Sequence, residues 1–145
     1  MGRRATITRE WLEAHHIIDI SKDGVVTAMD RQGREYIIKP LTTSKSTRYN
    51  VKQYHLLPIY DKEERQRQKE AYKEKGTYPA GTKLIMLSRA IYAWHYGECP
   101  GDMDVDHKNN DSLDDRIRNL QLLTRSENLA KRKGHRNQHE KSYRE

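Results

Sequence analysis

Residues 105–128 read VDHKNNDSLDDRIRNLQLLTRSEN, and this stretch decides how the rest of the chain is read. Asp104-Val105-Asp106-His107 alternates polar and apolar positions, the period of a short half-buried strand. Lys108 to Asp115 is polar and turn-rich, which predicts a loop. Leu120, Leu122 and Leu123 form a second apolar run, which predicts a strand pairing back on the first. Thr124-Arg125-Ser126-Glu127 then has the T-x-x-E spacing of a capping box, in which hydroxyl and carboxylate each satisfy the other residue's backbone N–H at a helix start. Strand, loop, strand and helix follow one another within a short segment. Asp106, His107, Asn119 and Asn128 are its chemical groups.

Working outward, a chain of 145 residues is sized for one modest domain, or for a small catalytic unit with an extension. Apolar residues make up 34% and charged residues another 34%, with no Phe. The core must therefore be small and built from Ile, Leu, Val, Tyr and Trp. The formal net charge is +7 and the sequence pI is near 9.5. That balance favours a polyanionic partner, although many soluble proteins are basic and charge alone names none. No apolar run approaches the roughly 18 residues of a membrane span. Met1-Gly2-Arg3-Arg4 lacks the apolar region of a signal peptide, so none is expected. Cys99 is the single cysteine. It excludes an internal disulfide and a Cys-x-x-Cys zinc knuckle, predicts no disulfide partner, and fits a reducing cytoplasm.

Thr6 to His15 predicts a short helix capped by Thr8, with Trp11, Leu12 and His15 on one side. Ile17 to Lys39 predicts a β-meander with strands Ile17–Ile20, Val25–Met29 and Tyr36–Lys39. Its turns fall at Lys22-Asp23-Gly24 and Arg31-Gln32-Gly33. A further strand is predicted at Tyr49–Leu56. Asp61 to Lys75 is almost entirely charged, with Asp61/Arg65 and Glu63/Arg67 at i,i+4 spacing, and predicts an exposed helix or a flexible insertion ended by Gly76 and Pro79. Lys83 to Leu87 predicts a strand. Ser88 to Tyr96 predicts a helix with Ala90, Ile91 and Trp94 inward, and His95 reads as packing or surface. Gly97 to Gly101 breaks that helix. Beyond Asn128 the helix can continue through Leu129 to Lys133, and the basic, apolar-poor remainder to Glu145 predicts a mobile tail.

The Asp106-His107 pair, the Arg118-Asn119-Leu120 triplet and Ser126-Glu127-Asn128 resemble the HNH endonuclease family, specifically its phage-type homing branch with the ββα-metal fold. The resemblance implies an α+β chain: an N-terminal antiparallel β-rich region over 1–60, then a nuclease module over 81–133 and a basic tail over 134–145. The charged helical insertion or linker at 61–80 departs from the family pattern. The front half is similar to the small β-rich region that precedes the nuclease module in phage-type relatives. The same resemblance implies a metal-dependent endonuclease for double-stranded DNA, phage-borne or intron-associated, working in a host cytoplasm.

The chemistry suits phosphodiester hydrolysis. That reaction needs an activated water, a neutraliser for developing charge, and help for the departing 3′ oxygen. A neutral imidazole matches the first task near pH 7, which makes His107 the general base. Asn119, across the hairpin, can accept from one ring nitrogen and leave the other facing water. Asp106 and Asn128 are the metal ligands, and their oxygens favour Mg²⁺ or Mn²⁺ over a structural zinc. As strand neighbours, Asp106 and His107 point to opposite faces unless the strand ends or twists there. Arg31, Arg34, Lys39, Lys45, Arg48 and Lys52 in the β-rich half are candidates for phosphate contact, as are Lys131, Arg132, Lys133 and Arg136 behind the module.

Asp102, Asp104 and Asp106 suggest a calcium loop, but His107 stands where that loop needs Gly and Leu113 where it needs Glu. His135 and His139 are alternative third-position ligands in the tail. A DNA-binding protein without cleavage, or a nuclease for RNA or structured DNA, accounts for the charge but not for the identities of Asp106, His107, Asn119 and Asn128. One site per chain lets a monomer nick one strand, whereas a double-strand cut needs a dimer or two events. The oligomeric state stays open at this stage.

Overall fold

The computed structural model describes residues 4–43, 52–75 and 82–132. The chain opens with a short strand, β1 (Ile7–Thr8), and helix α1 (Arg9–Ala14). The Thr8 hydroxyl caps α1 by accepting from the Trp11 N–H at 3.0 Å. Strands β2 (Ile17–Ile20), β3 (Val26–Met29) and β4 (Glu35–Ile38) then form an antiparallel meander. The register of β2 on β3 slips between Ile17 and Asp19. This bulge lets both Ile17 and Ile20 face the core, which strict alternation would forbid.

Strand β5 (Leu41–Thr42) joins β6 (His55–Tyr60) and β7 (Thr82–Met86) in a second antiparallel sheet. Strand β6 lies later than the predicted Tyr49–Leu56, and it runs through Pro58. The proline sits beyond the two positions paired with β5, where only β7 flanks the strand, so its missing N–H costs least there. Helix α2 (Lys62–Lys75) follows β6. The Asp61 carboxylate starts it by accepting from the Glu63 N–H at 2.8 Å.

Helix α3 (Leu87–Tyr96) is the hub of the packing. Leu87, Ala90, Ile91, Ala93 and Trp94 are all buried on it. They meet Leu12 of α1, Ile17, Ile20, Val26 and Ala28 of the meander, and Leu57 and Ile59 of β6. Each fully buried aliphatic side chain here contributes about 1.5–3 kcal/mol. Gly24, at φ 91°, closes the turn between β2 and β3; a Cβ there would stand 3.0 Å from the Ile91 methyl. Gly97, at φ 97°, ends α3.

Strand β8 (Glu98–Cys99), which the sequence reading missed, pairs with β1. Next comes a hairpin of β9 (Met103–His107) and β10 (Leu120–Thr124), joined by a loop ending in a 3-10 turn at Ile117–Asn119. Helix α4 occupies residues 125–132. Leu120 belongs to the same core as α3, and Val105, Ile117 and Leu122 pack against it half-buried. The described residues before α2 and those after it therefore supply a single core between them. Among the described residues, no helix is long and apolar enough to cross a membrane.

Candidate active site

Two hydrogen bonds set the start of α4. Thr124 N–H donates to Glu127 Oε1 at 3.0 Å, and Glu127 N–H donates to Thr124 Oγ1 at 3.1 Å. This reciprocal capping box fixes the rotation of the helix above the hairpin. Asn128 and Lys131, three residues apart, share one face of α4. Asp104 and Asp106, two apart, share one face of β9. The two faces meet in two rungs: the Asn128 amide donates to Asp104 Oδ2 at 3.0 Å, and Lys131 Nζ donates to Asp106 Oδ2 at 2.6 Å.

Each rung has a second donor. Gln121, opposite Asp106 in the hairpin register, donates its amide to Asp106 Oδ2 at 2.8 Å. Arg4 pairs with Asp104. Burial pushes the Asp104 carboxyl up, but the hydrogen bonds from Asn128 and Arg4 outweigh it and hold Asp104 below the usual carboxylate range. Lys131 also donates to the carbonyl of His107 at 3.1 Å.

His107 is the last residue of β9 and turns to the opposite, buried side, as alternation requires. Its Nε2 lies 2.7 Å from Asp115 Oδ1. Both side chains are largely buried, at 8% and 6% exposure. The expected contact between Asn119 and the ring is therefore replaced. Buried Asn119 spends its amide on the loop, accepting from Asn109 N–H at 3.1 Å and donating to Asn109 Oδ1 at 3.0 Å and to the Asp114 carbonyl at 2.8 Å. The loop from 108 to 116 must double back within the hairpin, and its backbone needs partners that Asn119 supplies.

The same loop is braced elsewhere. Arg116 grips Asp114 with two bonds of 2.7 Å, and this contact, ahead of all others, depresses the Asp114 carboxyl far below its ordinary range. From the β-rich half, Lys22 accepts from Ile117 N–H at 2.9 Å, and Gln53 accepts from the Ser112 hydroxyl at 2.6 Å. Upstream of β9, buried Arg89 donates from α3 to the carbonyls of Met103 and Pro100 at 2.8 and 2.7 Å. Gly101 lets the chain pass close by: a Cβ there would lie 1.8 Å from the Arg4 carbonyl.

Asp115, Arg89 and the inward turn of Lys131 escaped the sequence reading. Asp115 sits in an Asp-Asp pair that looks like solvated loop, and only the fold carries it beneath His107. Of the residues read as phosphate contacts, Arg31, Lys39, Lys52 and Arg132 are exposed, and Arg34 is exposed but paired with Asp30 at 2.9 Å. Lys131 is occupied with Asp106. Lys45, Arg48, Lys133 and Arg136 lie outside the described residues, as do the alternative ligands His135 and His139.

The donors near β9 suit a hard divalent ion. Asp104, Asp106 and Asn128 offer oxygen, and the Lys131 ammonium against Asp106 marks a position where positive charge is favoured. No cluster of three or more His, Cys, Asp or Glu arranged for a metal occurs among the described residues. Mg²⁺ suits such a sparse site, being commonly held by one or two carboxylates with phosphate and water completing its shell. Asn128 would turn its amide over to present oxygen. Against known families, residues 86–130 match the model described as HNH endonuclease. No curated protein and no solved structure matches the chain.

Proposed function

We propose that this chain, whose residues 86–130 match the HNH endonuclease model, is a metal-dependent hydrolase of phosphodiester bonds in double-stranded DNA, nicking one strand per site. The observation that carries the reading is the ending of β9. Asp106 and His107 are consecutive there, and α4 sets Asn128 on Asp104 and Lys131 on Asp106 along one face of the strand.

In this reading Asp106 and Asn128 would hold Mg²⁺ or Mn²⁺, at the carboxylate that Lys131 now neutralises. An ion held there would supply Lewis-acid neutralisation of the phosphate and of the charge on the departing oxygen. His107 takes a proton from water, the water oxygen bonds to phosphorus, and the bond to the 3′ oxygen breaks. Solvent returns a proton to that oxygen and removes one from the imidazole. Asn119 keeps the loop shut and so positions the base. Arg31, Lys39, Lys52 and Arg132 are exposed and would serve as phosphate contacts, and the +7 net charge favours the duplex.

Supercoiled plasmid incubated with protein and Mg²⁺ or Mn²⁺, with and without EDTA, tests the reading. Conversion to open circles that EDTA stops and Asp106→Ala removes is the expected result. Tight DNA binding with no cleavage in either metal would establish instead a DNA-binding protein without chemistry.

A further inference from the structure

The contact between His107 and Asp115 goes beyond the proposed hydrolysis while resting on it. We propose that Asp115 is the positioning residue of the site, fixing which ring nitrogen of His107 receives the proton. Asp115 Oδ1 lies 2.7 Å from Nε2, and a carboxylate can only accept, so Nε2 carries the hydrogen. A neutral imidazole has one N–H. Nδ1 is therefore left with the lone pair, and it is the nitrogen that takes the proton from water.

The surroundings hold this arrangement in one geometry. The Asp114 carbonyl is bound by Asn119 on one side of Asp115, and on the other Ile117 N–H is bound by Lys22. Both partners of the contact are buried, so neither rotates freely into solvent. Asp115 Oδ2 is also buried and has no hydrogen-bond partner among the described residues. Such an oxygen costs stability, and a residue chosen for packing alone would not leave it. What a carboxylate adds over an amide of the same shape is charge beside the ring. It supports the imidazole while it carries the extra proton, and it cannot invert to offer an N–H and impose the wrong tautomer.

Two measurements on the full chain test this. Long-range ¹⁵N–¹H NMR of the metal-free wild-type protein, at a pH where the His107 ring is neutral, should show hydrogen on Nε2. Hydrogen on Nδ1 would overturn the proposal without any variant. Asp115→Asn should retain the DNA Kd of wild type but lose about 10²–10⁴-fold in single-turnover cleavage. A merely structural Asp115 would leave the rate of the folded amide variant near wild type, and that outcome too overturns the proposal. His107→Ala separates the two levels of inference. If that variant cleaves like wild type, the base assignment fails; if it is inactive while Asp115→Asn cleaves normally, only the role of Asp115 fails.

Discussion

Replacing Asn119 by Ala removes three hydrogen bonds from a buried side chain: one accepted from Asn109 and two donated, to Asn109 and to the Asp114 carbonyl. At about 0.5–1.5 kcal/mol net each, the loss comes to about 1.5–4.5 kcal/mol. The unfolding entropy of a 145-residue chain is about 0.3 kcal/mol/K. The variant should therefore melt about 5–15 °C below wild type. Asn119→Asp should be no milder, because it turns a donor into an acceptor facing two oxygens. Thermal unfolding by circular dichroism, beside cleavage at a temperature where both proteins are folded, reads the two effects separately. A Tm within about 2 °C of wild type with cleavage abolished would refute the reasoning, since Asn119 would then act on the reaction itself and not on the loop.

Other consequences follow from single contacts. Thr124→Ala removes half of the capping box and should cost about 1 kcal/mol, seen as a lower Tm. Lys131→Met frees Asp106 from its competing ammonium, so calorimetric Mn²⁺ affinity should rise about fivefold, the equivalent of about 1 kcal/mol for an ion pair. Asp114 is held below its unfolded-state range by Arg116, so this pair stabilises the fold above about pH 4 and ceases to as the pH falls through the depressed value. Asp114→Asn should flatten the acid side of a Tm-against-pH profile. Cys99 is fully buried and its thiol is pushed up by burial, so a thiol reagent should modify it only as the protein unfolds.

Much of this architecture was legible in the sequence because local patterns carried it. The capping box at Thr124 needs only residues three apart, and both of its hydrogen bonds form. The alternation ending at His107 and the apolar face of α3 are likewise local signals. The strand at β6 was misplaced because Pro58 argues against a strand, and nothing nearby reveals that β5 stops short of it. Strand β8 is two residues long and owes its pairing to β1, far away in sequence. The candidate site divides along the same line. Asp106, His107, Asn119 and Asn128 could be named from the resemblance to the HNH family, but their partners could not. Asn119 meets Asn109 and Asp114 because the loop folds back over it, Asn128 meets Asp104, and His107 meets Asp115. Those pairings depend on how β10, α4 and the Lys22 and Gln53 carbonyls hold the loop.

If His107 is the base that attacks the phosphodiester through water, its loss must show in the single-turnover rate at which saturating protein nicks supercoiled plasmid in Mn²⁺, compared between wild type and His107→Ala, with DNA affinity measured by fluorescence anisotropy. The rate should fall about 10²–10⁴-fold with affinity unchanged. Equal rates for the two proteins would contradict it.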